Sequence, residues 1–266
     1  MSPPLSKSIL KPLALSLFTG LVLMGCQPNS EKVDSTDQKT DPVAASETPA
    51  QPTTAAQTDS VAGSAAQRIE QPITILALGD SLTEGLGVAE NEAYPAQLQT
   101  ALQQAGYVNA KVINSGLSGE TSTGLVNRLD WVLKTKPNIT ILTTGANDAM
   151  RGIEVATVEN NLRTAIERLQ SEGSVVVLGG MQIYDNLGDD YVKAFSAIYP
   201  KLAEEYDIAF IPFFLEGVGG VAELNQSDVI HPTAEGYTKI VNNNILPVLT
   251  PVIEKVTETE AKADSK

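Results

Sequence analysis

Seven residues of mainly β-branched and aliphatic character, Ile73-Thr-Ile-Leu-Ala-Leu-Gly79, stop at Asp80-Ser81. Polar residues do not alternate along the run, which predicts a strand buried on both faces of a parallel sheet; a strand with one wet face would alternate. Ser81 then sits just past a strand's C-terminal end. In open α/β sheets ligands bind at that edge, in a crevice lined by loops and helix N-termini. Ser81 is therefore placed to be a nucleophile. Asp80 and Ser81 are equally suited to capping the next helix.

Downstream, strand and helix alternate. Apolar residues recur at helical spacing over residues 92–106, 122–134, 155–169, 190–206 and 233–246. Short strands are predicted at residues 111–114, 138–144, 174–178 and 207–212. Five strands separated by helices imply right-handed crossovers and an α/β fold, a three-layer α/β/α sandwich on a five-stranded parallel sheet. The domain is expected to cover residues 71–255. Trp131 and Leu133 are expected in a helix core, the alternative being a lipid-docking aromatic, and the charged tail 256–266 is expected to fray.

The first 70 residues read differently. Lys7 and Lys11, an apolar run over 13–24 and Gly25-Cys26 have the three-part layout of a secretory signal. About 12 apolar residues fall short of the roughly 20 that span a bilayer. Cys26 is the only cysteine, so it has no partner for an internal disulfide. Leu23-Met-Gly-Cys26 resembles the lipobox of bacterial lipoproteins, which implies loss of residues 1–25 and lipidation of Cys26 as a membrane anchor. Lys7 and Lys11 leave with that segment, taking the formal charge from −14 to −16. Such a surface repels nucleic-acid phosphates and anionic head groups, so no nucleic-acid partner is expected and attachment falls to the anchor. Residues 27–70, rich in Pro, Ser, Thr, Gln and Ala, read as a disordered tether with a reach of roughly 35 to 40 Å. The expected location is the periplasm-facing outer membrane, with which Gln27 after the cysteine is compatible, and the domain is expected to be monomeric.

In a parallel sheet the loops that follow the strands share one edge. They read Asn114-Ser-Gly116-Leu-Ser-Gly-Glu120-Thr-Ser122, Gly145-Ala-Asn147-Asp148 and, after a long glycine-containing loop, Asp228-Val-Ile-His231-Pro232. The first could be a backbone donor loop or a flexible turn. His231 is the only histidine in the chain. At background frequencies a lone histidine has Asp three residues before and Pro one after about once in 350 cases. A carboxylate one turn ahead can accept from Nδ1, fix the tautomer and leave Nε2 free as a base. The alternative is a buried histidine bonded to a capping aspartate. One histidine and no cysteine cluster argue against a zinc site, and nothing calls for a cofactor. Arg151 could contact a polar substrate group or cap a helix. Phe213, Phe214 and Leu215 could line an acyl pocket or belong to the core.

Together, Gly79-Asp-Ser-Leu82, Gly116 within Asn-Ser-Gly-Leu-Ser-Gly, Gly145-x-Asn147-Asp148 and Asp228-x-x-His231-Pro232 resemble the four ordered blocks of the GDSL, or SGNH, hydrolases. The resemblance spans residues 73–247 and implies a flavodoxin-like SGNH hydrolase fold and an esterase working through an acyl-serine. It implies Ser81 as nucleophile, Asp228 and His231 as its partners, and an oxyanion hole made by the Ser81 and Gly116 backbone N–H groups and the Asn147 side-chain amide. Gly180-Met-Gln-Ile183 and Phe214-Leu-Glu-Gly-Val218 resemble the bacterial arylesterase, acyl-CoA thioesterase and lysophospholipase branch. That branch implies short or medium acyl esters, thioesters or lysophospholipids as substrates. One segment departs: many relatives carry a proline-rich turn after the fourth strand, where this chain has Tyr184-Asp-Asn-Leu-Gly188. The competing functions are an O-acetyl esterase acting on envelope polysaccharide and a non-catalytic lipoprotein that presents a ligand.

Overall fold

The structure, a computed structural model, describes residues 70–184 and 187–264. The expected signal segment, Cys26 and the tether up to residue 69 lie outside the described residues. Strand β1 (Ile73–Gly79) runs into a single helical turn, α1 (Ser81–Glu84). Helix α2 (Tyr94–Gln104) follows, started by Pro95, whose missing N–H costs nothing in a first turn. Then come β2 (Ala110–Gly116), the short helices α3 (Ser122–Asn127) and α4 (Leu129–Val132), β3 (Ile139–Thr143), α5 (Ala146–Met150) and α6 (Val155–Ser171). Strand β4 (Val175–Gly179), α7 (Asp189–Glu205), β5 (Ala209–Ile211), α8 (Ala234–Lys239) and α9 (Leu246–Asp264) complete the chain.

All strands are parallel in the order β2-β1-β3-β4-β5. Both faces of the central strands are covered: Ile75 to Leu78, Ile139, Ile141 and Leu142 are all buried. Helices α2, α8 and α9 pack on one side, and α3, α6 and α7 on the other. The chain leaves β1 for β2 and then crosses back to β3. The crevice of such a sheet therefore opens between the C-terminal ends of β1 and β3, where Gly79 is in register with Gly116 on one side and Thr143 on the other.

Three expectations need correction. The helix predicted over 122–134 is broken at Arg128 (φ −103°, ψ 4°) because that guanidinium turns inward, as described below. The break rotates the following turn, which leaves Trp131 65 % exposed while Leu133 is buried. The last helix does not stop at 246. Pro247 removes an N–H and its ring crowds the preceding turn, but a π turn at Ile240–Ile245 widens the backbone ahead of it. Finally, the segment past Glu254 is helical to Asp264, held where Ile253 and Thr257 are buried and Val256 packs against the core.

Candidate active site

The edge of the sheet around Ser81 is assembled by close backbone approach. A Cβ on Gly79 would lie 2.3 Å from the Thr143 carbonyl oxygen, and one on Gly116 would lie 2.0 Å from the Glu84 nitrogen. The absence of both lets α1 settle onto the ends of β1 and β2. Asp80 caps that turn, its Oδ1 accepting from the Leu82 N–H at 3.1 Å. The cap and the candidate nucleophile are therefore adjacent residues, and Ser81 opens the turn with its own N–H outside the helical ladder. The other Asp80 oxygen accepts from Asn147 Nδ2 at 3.3 Å. Burial pushes the Asp80 carboxyl up to about 6, against the lowering effect of these donors and of nearby His231.

His231 arrives on a loop pinned at its base by an antiparallel bridge between Asn225 and Pro232 and by the Gln226 N–H on the His231 carbonyl, 2.8 Å. Asp228 Oδ1 accepts from the Ile230 and His231 N–H groups, each at 3.0 Å, so the carboxylate folds its own loop. Its Oδ2 lies 2.6 Å from His231 Nδ1, and His231 Nε2 lies 2.8 Å from Ser81 Oγ. With a carboxylate on Nδ1, that nitrogen carries the proton, and Nε2 accepts from the serine hydroxyl. The His231 backbone N–H first, then its ring and the Ile230 N–H, hold the Asp228 carboxyl down at about 2.

Asn147 sits on α5, entered through Gly145 at φ +115°; a Cβ there would fall 2.3 Å from the Tyr199 hydroxyl. The fully buried Asp148 next to it accepts from the Ser122 N–H at 2.8 Å and the Ser122 hydroxyl at 2.6 Å, tying the start of α3 to α5. The loop between β2 and α3 is held from below as well. Arg128 pairs with the buried Glu120, which accepts from Nε at 2.7 and 2.9 Å, and donates to the Ser115 carbonyl at 2.9 Å and the Gly79 carbonyl at 3.2 Å. Neither partner was legible as a pair, because helical periodicity reports apolar faces and not an inward charge. Arg151 donates to the Gly119 carbonyl at 2.8 Å, fixing that peptide.

Gly116 is not where the resemblance puts it. It is the last residue of β2, lies against α1 and donates its N–H to Asn114 Oδ1 at 2.9 Å. Gly119, three residues on at φ +75°, lines the cleft with Ser81 and Asn147 instead. The physical reason is register: pairing with Gly79 keeps Gly116 inside the sheet, and the loop clears the edge only after it.

The cleft holds about 710 Å³ and contains Ser81, Asn147 and His231 among apolar walls that include Met150, Met181, Ile183, Phe213 and Leu215. Phe214, between two wall residues, is buried in the core. A second hollow of about 660 Å³ lies at the opposite ends of the strands, near Val175, Ala209 and Val252, without a paired nucleophile and base. Among the described residues no three His, Cys, Asp or Glu side chains come together as metal ligands.

Esterase TesA of Pseudomonas aeruginosa is 37 % identical over 181 residues, covering 68 % of this chain and 89 % of that protein. The crystal structure of TesA superposes with a TM-score of 0.64 over 67 % of this chain and 98 % of the other. Thioesterase 1/protease 1/lysophospholipase L1 of Escherichia coli K12 is 36 % identical over 170 residues, 64 % of this chain and 80 % of its own. The structure of AlinE4, an SGNH-hydrolase family esterase, is 38 % identical with a TM-score of 0.58, covering 73 % and 98 % of the two chains. Residues 77–239, which carry the serine, the asparagine and the aspartate–histidine pair on a single sheet edge, match one family throughout, and the chain belongs to it: the GDSL-like lipase/acylhydrolase family.

Proposed function

We propose that this carboxylic ester hydrolase works through Ser81 as nucleophile, His231 as general base and Asp228 as the group that orients the base and stabilises its protonated form. The observation that carries the reading is the continuous line of contacts, 2.6 Å from Asp228 to Nδ1 and 2.8 Å from Nε2 to Ser81 Oγ. An alcohol is a poor nucleophile near neutral pH. As Oγ attacks the ester carbonyl carbon, its proton passes to Nε2. The same proton then goes to the departing alcohol or thiol oxygen or sulfur, leaving an acyl-serine. Water, deprotonated by the same imidazole, attacks that acyl carbon and releases the acid and the free serine.

Charge that develops on the carbonyl oxygen needs donors that are already in place. The Ser81 and Gly119 N–H groups have no protein partner among the described residues, and Asn147 Nδ2 carries a second hydrogen beyond the one given to Asp80. Each such donor is worth about 10²- to 10³-fold in rate. The apolar walls suit an acyl chain, and the relatives named esterase, thioesterase and lysophospholipase support acyl esters, thioesters or lysophospholipids as the substrate class. Ser81→Ala is expected to fold normally and to lose at least 10³-fold in turnover of p-nitrophenyl butyrate. It should also lose labelling by a fluorophosphonate probe. Full turnover by the variant would rule this assignment out.

For the N-terminus the reading is an exported lipoprotein facing the periplasm from the outer membrane, anchored through Cys26. It is supported by the single cysteine at the end of the apolar run. Cys26→Ser should move the esterase activity from the membrane fraction to the soluble one; activity that stays membrane-bound in the variant removes the anchor.

A further inference from the structure

Asp228 is open for a carboxylate that must orient a base: its side chain is 44 % exposed, against 14 % for His231. Burial therefore does not fix it, and its place is inherited from the loop that carries it. That loop is strained. Val229, the next residue, has φ +61°, a left-handed conformation that β-branched residues avoid because Cβ crowds the following carbonyl. Such a conformation persists only where surrounding contacts hold it.

Some of those contacts are internal: the Val229 N–H donates to the Gln226 carbonyl at 2.9 Å, and Asp228 Oδ1 takes the two N–H groups beyond it. Gln226 Nε2 ties the base of the loop to the Leu86 and Pro232 carbonyls, at 2.7 and 3.0 Å. The tip is gripped from elsewhere. The Tyr184 hydroxyl donates to the Val229 carbonyl at 3.1 Å. Tyr184 comes from the segment after β4, whose start is locked by the Gly180 N–H on the Ile211 carbonyl at 2.8 Å and the Phe214 N–H on the Gly180 carbonyl at 2.9 Å. Tyr184 as a residue is 61 % exposed, so the contact is not a by-product of burial.

We propose that the Tyr184 hydroxyl is a positioning group for the catalytic pair, holding the strained Val229 turn in the shape that aligns Asp228 with His231 and His231 with Ser81. The proposal rests on the Ser81–His231–Asp228 reading and adds a residue that lines the same cleft and whose hydroxyl bonds to the Val229 carbonyl, not to any of the three.

The test uses Tyr184→Phe, which removes one oxygen from an exposed ring, and Val229→Gly, which removes the strain. On p-nitrophenyl acetate, too short to reach far along the cleft, Tyr184→Phe should lower kcat about three- to tenfold, the value of one hydrogen bond, with KM unchanged. Fluorophosphonate labelling of Ser81 should slow by the same factor. In the Val229→Gly background the Tyr184→Phe change should cost less than about twofold, because a glycine needs no clamp at positive φ. If Val229→Gly fails to melt cooperatively, Val229→Asn, which also tolerates that conformation, takes its place. A rise in KM with kcat intact would make Tyr184 a substrate contact and overturn the proposal, as would an equal loss in both backgrounds. Should Tyr184→Phe behave as the parent while Ser81→Ala is inactive, this inference alone fails; an active Ser81→Ala would remove the reading beneath it.

Discussion

At Asp80 one carboxylate serves a helix cap and the Asn147 amide while almost fully removed from water. Desolvation wins over those donors and lifts its pKa from 3.8 to about 6. Between those values the folded state binds more protons than the unfolded one, so this group's contribution is complete below about pH 4 and is lost as pH rises through 6. The difference amounts to about 3 kcal/mol at most. Asp80→Asn should therefore gain stability relative to the parent as pH goes from 4 to 7, in urea melts at several pH values. A gap between the two proteins that stays constant across that range would show that Asp80 does not titrate there. The sequence marked Asp80 as a cap but not as Asn147's partner. That second role comes from β1 and β3 lying side by side, which no local pattern records.

Among the elements, α1 shows how little space the site leaves. It rests on β2 where Gly116 has no side chain, so Gly116→Ala must push the Glu84 backbone, and with it Ser81, off the sheet edge. Overpacking of this kind costs about 1 to 3 kcal/mol. The expected result is a lower urea midpoint together with a large loss of kcat. Gly119→Ala meets nothing closer than the Arg151 guanidinium at 3.7 Å, so its cost is confined to the strain of positive φ. Equal destabilisation by both would refute the different placements of the two glycines. Two glycines three residues apart look alike in sequence, and only the pairing of Gly116 with Gly79 separates strand end from loop. The central strands β1 and β3 were legible because a run buried on both faces has no alternation to confuse it. The helix over 122–134 was not, because the Arg128–Glu120 pair overrides a period that only apolar residues report.

For the molecule as a whole, the alternation of strands and helices was enough to give three layers and a parallel sheet, whereas the reach of the last helix was hidden by its prolines. Helix α9 covers β4 and β5 and borders the hollow at the strand ends opposite Ser81. Leu249 and Ile253 on its inner face are fully buried; the Glu258–Lys262 pair near its end is exposed. Burying one such aliphatic side chain is worth about 1.5 to 3 kcal/mol, so the two together reach about 3 to 6, a large part of the roughly 5 to 15 that holds a domain folded. An exposed ion pair adds about 1 or less. A chain ended after Glu254 keeps Leu249 and Ile253, and should fold with p-nitrophenyl butyrate turnover close to that of the full chain. A chain ended after Leu246 loses both and uncovers β5, and should give no cooperative urea transition. If the shorter chain melts as the longer one does, α9 is an appendage and the core closes without it.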